Sequence, residues 1–132
     1  MGKTTYKYIG DRDLKDAETL LAAGSFSSAG RFAQQAAEKY LKHFIDISGN
    51  TDDIAFFTTH NTIKLYDKVV ELGGLEFDRS YQKMMYVLRT YYYDVNYPGE
   101  DFRELSEEEA ADAVNFVKEL ASAIKWNKEV QS

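Results

Sequence analysis

A chain of 132 residues without cysteine and with a net charge of −6 is long enough to bury one real core, and both disulfide and thiolate chemistry are closed to it. The acidic balance argues against broad, sequence-independent binding of nucleic acid, which needs a basic surface; contact with nucleic acid would be local, at a cleft. No apolar run approaches the roughly 20 residues that span a bilayer, and the opening MGKTTYKYIGDRD has no apolar signal-peptide core, so the expected location is cytoplasmic, with no membrane partner.

Periodicity and capping residues predict five helices. The first runs from about Asp13 to Ala23, with Leu14, Ala17, Leu20 and Leu21 inward and Gly24 as its stop. The second covers about Ser28 to Ser48, with Ser27 as candidate N-cap and Gly49 as the stop. Its inner positions are Phe32, Ala33, Ala36, Ala37, Tyr40, Phe44 and Ile47, and the alanines permit close approach of a neighbour. Gln34, Gln35, Glu38, Lys39 and Lys42 read as its solvated face. A polar loop, Asn50 to Phe57, follows.

The third helix covers about Asn61 to Leu72, with Ile63, Tyr66, Val69 and Val70 inward, and Gly73-Gly74 ends it. No Lys-Ser/Thr follows these glycines, so they are not a phosphate loop. The fourth, capped by Asp78, runs from about Arg79 to Val95 through Tyr81, Met84, Met85, Leu88, Tyr92 and Val95. The fifth opens at Ser106, where Ser106 and Glu109 match a capping box, and runs to about Lys128 through Ala110, Ala113, Val114, Val117, Leu120, Ala121 and Ile124. Seven acids lie between Glu100 and Asp112 against Arg103 alone, a solvated helix start that the helix dipole favours. No useful β alternation, repeat or low-complexity segment is present. The expectation is one all-α domain over 1–132, core about 11–126: an up-and-down four-helix bundle with an additional fifth helix.

The end of the fourth helix, RTYYYDVNYP from Arg89 to Pro98, carries the candidate chemistry. At about 3.6 residues per turn Arg89, Tyr93 and Asn96 share a face, which joins a guanidinium, a phenol and an amide. Pro98 removes a donor and turns Tyr97 away from helix. Such a stripe suits either a phosphate or nucleotide contact or a packed seam; for Arg89 the second form is an ion pair inside the bundle or between subunits. Tyr92 belongs to the core stripe, while Tyr91 and Tyr93 flank it and can stack on a base. His43 and His60 are the only histidines. His43, beside Tyr40, Phe44 and Ile47, reads as a packing or partner-facing residue. His60, where the third helix begins, can bond the orphan amides there. No metal site is expected from two histidines so far apart, and no cofactor motif appears.

Three blocks in this order resemble the HEPN domain (higher eukaryotes and prokaryotes nucleotide-binding). They are QQAAEKYLK at Gln34–Lys42, Thr59-His60 followed by Leu65, and the Tyr-rich ending before Tyr97-Pro98. The resemblance covers about Asp11 to Ile124. It implies an all-α bundle that dimerises, and for many members a small nucleotidyltransferase as partner in a toxin–antitoxin type of pair. Some members are metal-independent ribonucleases, with an arginine followed after four to six residues by a histidine at the end of the fourth helix. Arg89 matches that arginine. At the histidine positions stand Asp94, Val95 and Asn96. Asn96 shares the face of Arg89 but moves no proton near neutral pH, and Asp94 lies about 140° around the helix. Family members with arginine before the Tyr-Pro pair differ here again, because Asn96 occupies that place. The resemblance thus implies a nucleotide- or RNA-associated module with Arg89, Tyr91, Tyr93, Asn96 and Tyr97 as contacts. Arg89, Asp94 and Asn96 remain the catalytic candidates for a ribonuclease with an atypical second residue, and a purely structural adaptor is the third reading.

Overall fold

A computed structural model of the protein describes residues 4–49, 53–94, 99 and 103–127. They form six helices: α1 (Tyr6–Ala22), α2 (Phe26–Ser48), α3 (Ala55–Thr58), α4 (Thr62–Glu71), α5 (Arg79–Asp94) and α6 (Glu107–Ala123). No strand occurs among the described residues, and none of the helices is long and apolar enough to cross a membrane. The all-α bundle expected from the sequence is the observed architecture.

The capping residues explain most helix boundaries. Asp78 Oδ1 accepts from the Ser80 hydroxyl at 2.5 Å and from the Ser80 and Tyr81 amides at 2.8 and 3.3 Å, bonds that hold its carboxyl below the ordinary carboxylate range. Ser106 and Glu109 form the expected capping box, with Ser106 N–H donating to Glu109 Oε1 at 3.0 Å and Glu109 N–H to Ser106 Oγ at 3.1 Å. Gly49 closes α2 at φ 65°, where a side chain would be strained.

Four boundaries differ from expectation. The first helix begins at Tyr6, because Thr5 caps it by accepting from Tyr8 N–H at 3.1 Å. Gly10 lies inside that helix as a site of close approach: a Cβ there would stand 3.1 Å from the Tyr40 ring. The second helix begins after Ser25, which holds the N-cap position without a side-chain cap bond, while Ser27 Oγ accepts from Leu105 N–H at 2.9 Å and ties down the segment before α6. The loop expected from Asn50 to Phe57 contains α3, a single turn too short to show a period. The last helix ends at Ala123, after which Lys125 N–H donates to Gly74 O at 2.9 Å.

Helix α2 is the centre of the bundle. It packs against α1 most extensively and also against α4, α5 and α6. Ala33, Ala36, Ala37, Tyr40, Leu41, Phe44 and Ile45 are buried on it, with Leu65, Tyr66 and Val69 from α4, Met85 and Leu88 from α5, and Val117 and Leu120 from α6. Small residues set the helix spacing. A Cβ on Gly30 would come within 2.2 Å of Leu105 Cδ1 and 3.4 Å of Tyr91 Cδ2, so the chain around Leu105 and α5 can approach there only because position 30 is glycine.

Candidate functional site

The main surprise lies on α2. Gln34, Glu38 and Lys42, expected on the solvated face, are 0%, 1% and 4% exposed. They fall at i, i+4 and i+8, hence on one stripe with Gly30. Leu41 and Ile45, absent from the expected inner set, are buried beside them. With apolar side chains this far around α2, no solvated face remains for positions 34 and 38. That surplus of apolar positions is the signal in the sequence that marks the stripe as buried.

Glu38 is the hub. It accepts from the Gln34 side-chain amide, pairs with Lys42 Nζ at 3.5 Å, and has both carboxylate oxygens 3.2 Å from His60 Nδ1. Burial pushes the Lys42 amine down and the Glu38 charge opposes that shift. Leaving one member of such a buried pair alone is costly, which ties the three α2 side chains together.

His60 does not cap the helix it precedes. Asn61 does, its Oδ1 accepting from the Ile63 and Lys64 amides at 3.1 and 3.2 Å. The shorter side chain reaches its own helix amides and leaves the imidazole free to turn toward α2 and α5. The His60 ring stacks on Tyr92, with centroids 4.3 Å apart and planes 15° apart, and its side chain is 46% exposed. A carboxylate oxygen accepts, so Nδ1 is the ring nitrogen that donates to Glu38. A carboxylate, an aromatic face and a helix start together fix the orientation of an accessible nitrogen.

Helix α5 is rotated relative to expectation. Tyr91 is buried at 2% exposure, against Gly30 and 5.8 Å from the Arg103 guanidinium, while Tyr92 is half-buried. Tyr91 is thus a core residue with no ring face offered for base stacking; burial pushes its phenol up. The glycine at position 30 admits it. Arg89 is half-buried, and its Nε is buried without a hydrogen-bond partner. None of the ion pairs among the described residues includes it. The candidate side chains of Tyr93, Asp94, Asn96 and Tyr97 lie outside those described. His43, half-buried, packs on Trp126 with ring centroids 5.6 Å apart, so its packing role holds.

This arrangement defines a small helical bundle with polar groups gathered where α2, α4 and α5 meet. The HEPN domain model matches residues 5–127, and the chain belongs to that family. Two solved structures share the fold. One is ST0689, described as an archaeal HEPN homologue, at 20% identity and TM-score 0.67 with 89% of each chain covered. The other is TT1696 from Thermus thermophilus, at 22% identity and TM-score 0.72 with 94% of each chain covered. No curated protein matches the chain.

Proposed function

We propose that the protein is a nucleotide- or RNA-binding and assembly module of the HEPN type, with Arg89 as the contact for a phosphate. The observation that carries this reading is the buried, unpartnered Arg89 Nε. A buried donor without an acceptor costs free energy, and a charged one more. A phosphate oxygen would satisfy it with a charge-assisted bond that also uses the planar fork of the guanidinium. The chain as a whole carries net charge −6, so the ligand would be gripped at this point and not along an extended basic surface.

Family resemblance supports a homodimer with α5 in its seam and a nucleotidyltransferase-domain protein as partner, in a toxin–antitoxin type of pair. In the sequence that follows Arg89 the ribonuclease motif is degenerate, since Asn96 stands where the histidine would be.

The test is fluorescence anisotropy with a labelled single-stranded oligonucleotide built on 2′-deoxyribose, which reports binding without cleavage. The parent protein is expected to bind, and Arg89→Ala to bind about tenfold or more weakly, the worth of one hydrogen bond to a charged group. Equal binding by both proteins, or none by either, overturns the reading of Arg89. Light scattering tests assembly: a dimer has twice the 15.1 kDa chain mass, and a monomer at micromolar concentration removes the α5 seam.

A further inference from the structure

Two charged rows lie side by side on the outside of the bundle. On α5, Arg79, Lys83 and Tyr86 are exposed, Tyr86 at 58%. With the half-buried Thr90 they stand at i, i+4, i+7 and i+11, the stripe opposite the buried Leu88. From Arg79 to Tyr93 the sequence holds three basic residues and no acid, in a chain of net charge −6. On α6, Glu108, Asp112, Asn115 and Glu119 are exposed at the same spacing. The one cation of α6, Lys118, turns to Glu18 of α1 at 3.4 Å. None of the ion pairs among the described residues includes Arg79, Lys83, Glu108, Asp112 or Glu119.

The two helices are antiparallel neighbours. Near the start of α5 the Tyr81 ring meets Phe116 edge to face at 5.0 Å, and its hydroxyl donates to Glu119. Near the end of α5, Tyr91 lies in the field of Glu109 and Asp112. Arg79 is thus close to level with Glu119, and Thr90 with Glu108; each row is about 16 Å long. A phosphate strand laid on the α5 row would run about 8–10 Å from the acidic row. That is about one Debye length at physiological salt, so the acids oppose a polyanion there. A basic row and an acidic row of equal spacing instead complement each other between two copies of one chain.

A two-fold axis in the plane of this face can run across the helices or along them. An axis across them lays α5 on the partner's α5 and α6 on its α6, cation against cation and acid against acid, which is costly. An axis along them lays each α5 on the partner's α6. We infer that a second copy of the chain docks on the α5–α6 face in the second way, with Arg79 against the partner's Glu119 and Lys83 between the partner's Asp112 and the partner's Glu119. The symmetry makes each contact twice. Tyr86 supplies the aromatic surface at the middle of the α5 row, a residue type in which interfaces are enriched. The inference rests on the homodimer reading with α5 in the seam and names what α5 meets there, which is α6.

The experiment uses the full chain and light scattering at micromolar concentration in low salt. Arg79→Glu with Lys83→Glu makes both rows acidic; Asp112→Lys with Glu119→Lys makes both rows basic. Either double variant is expected to raise the dissociation constant of the dimer about a hundredfold or more, because like charges then face each other on both sides of the axis. An equal mixture of the two is expected to regain a species of twice the chain mass, since each row again meets its opposite. All four positions are exposed, and circular dichroism checks that the variants are folded. If the α6 variant fails to fold, the α5 variant carries the test through its own mass. A parent that is a monomer removes the homodimer reading and this inference together. A parent dimer whose variants both remain dimers leaves the homodimer standing and overturns this seam. Two monomeric variants that do not pair when mixed also overturn it. An α5 variant that stays dimeric and loses the deoxyribose oligonucleotide overturns it and assigns the basic row to nucleic acid.

Discussion

Tyr40 and Glu38 lie two residues apart on α2, about 200° around the helix, and both are buried, yet the two sides of the helix solve burial differently. On the Tyr40 side an apolar ring packs over Gly10, and its polar tip escapes to the rim, where the hydroxyl donates to Asp11 at 2.6 Å. Burial and the Asp11 carboxylate both push that phenol upward. On the Glu38 side a charge is carried inward and must be answered there by Gln34, Lys42 and His60. The first arrangement adds to stability through apolar area. The second contributes little net stability, because desolvation offsets its attraction, but it fixes an imidazole at the surface. In consequence α2 stabilises the fold along one side and holds a buried polar cluster along the other.

The largest expected effect breaks the Glu38 side. Glu38→Ala leaves Lys42 as a buried, uncompensated cation and should cost about 3–5 kcal/mol in urea unfolding. Pairing it with Lys42→Met should recover part of that loss. A cost below about 1 kcal/mol, the range of exposed ion pairs, would mean that the stripe is solvated and the comparison wrong. Gly30→Ala sits on the same stripe and drives a methyl into Leu105. It should destabilise by about 1–3 kcal/mol, and a neutral result would show that the segment around Leu105 can move away.

Smaller changes sharpen the Tyr40 side. Tyr40→Phe keeps the ring and removes one hydrogen bond, for a loss of about 1 kcal/mol. Asp13 gives the contrasting case of a buried carboxylate whose burial outweighs the cations beside it, the Lys39 charge and Arg12 at 3.7 Å. Burial raises its pKa above the ordinary 3.8. A carboxyl with a raised folded-state pKa contributes stability fully present below its unfolded value and lost as pH rises through the folded one. Asp13→Asn should therefore be more stable than the parent at neutral pH and lose that advantage near pH 3. Parallel urea curves at the two pH values check the sign; an advantage that persists in acid would refute the assignment.

The scaffold was largely legible in the sequence because its boundaries are written in local chemistry: Asp78, Ser106 with Glu109, and Gly49 each act within one turn of where they stand. The start of α1 was not legible: the sequence pattern begins the helix at Asp13, and that the helix continues through Gly10 back to the Thr5 cap is seen only with Tyr40 packed against the glycine. The site was much less legible. Side-chain type alone assigns Gln34, Glu38 and Lys42 to solvent, and only the three-dimensional meeting of α2, α4 and α5 buries them. His60 and Asn61 both suit a helix start, and nothing local says which of them turns away. The choice between Tyr91 and Tyr92 as the inward ring depended on the space that Gly30 leaves on another helix. Arg89 was identified from its stripe and its family motif, and its missing partner could be seen only in space.

The segment after α6 has a use of its own. Trp126 is the single tryptophan of the chain. Its indole N–H donates to Ala121 O at 3.0 Å, and its ring meets Tyr40 and His43 of α2 and lies under the Lys7 ammonium of α1 at 5.7 Å. One chromophore thus looks at the start of α1, the middle of α2 and the end of α6 together. Its emission is a built-in gauge of whether those three stretches are docked, readable without a label, and it reports from the side of α2 turned away from Glu38.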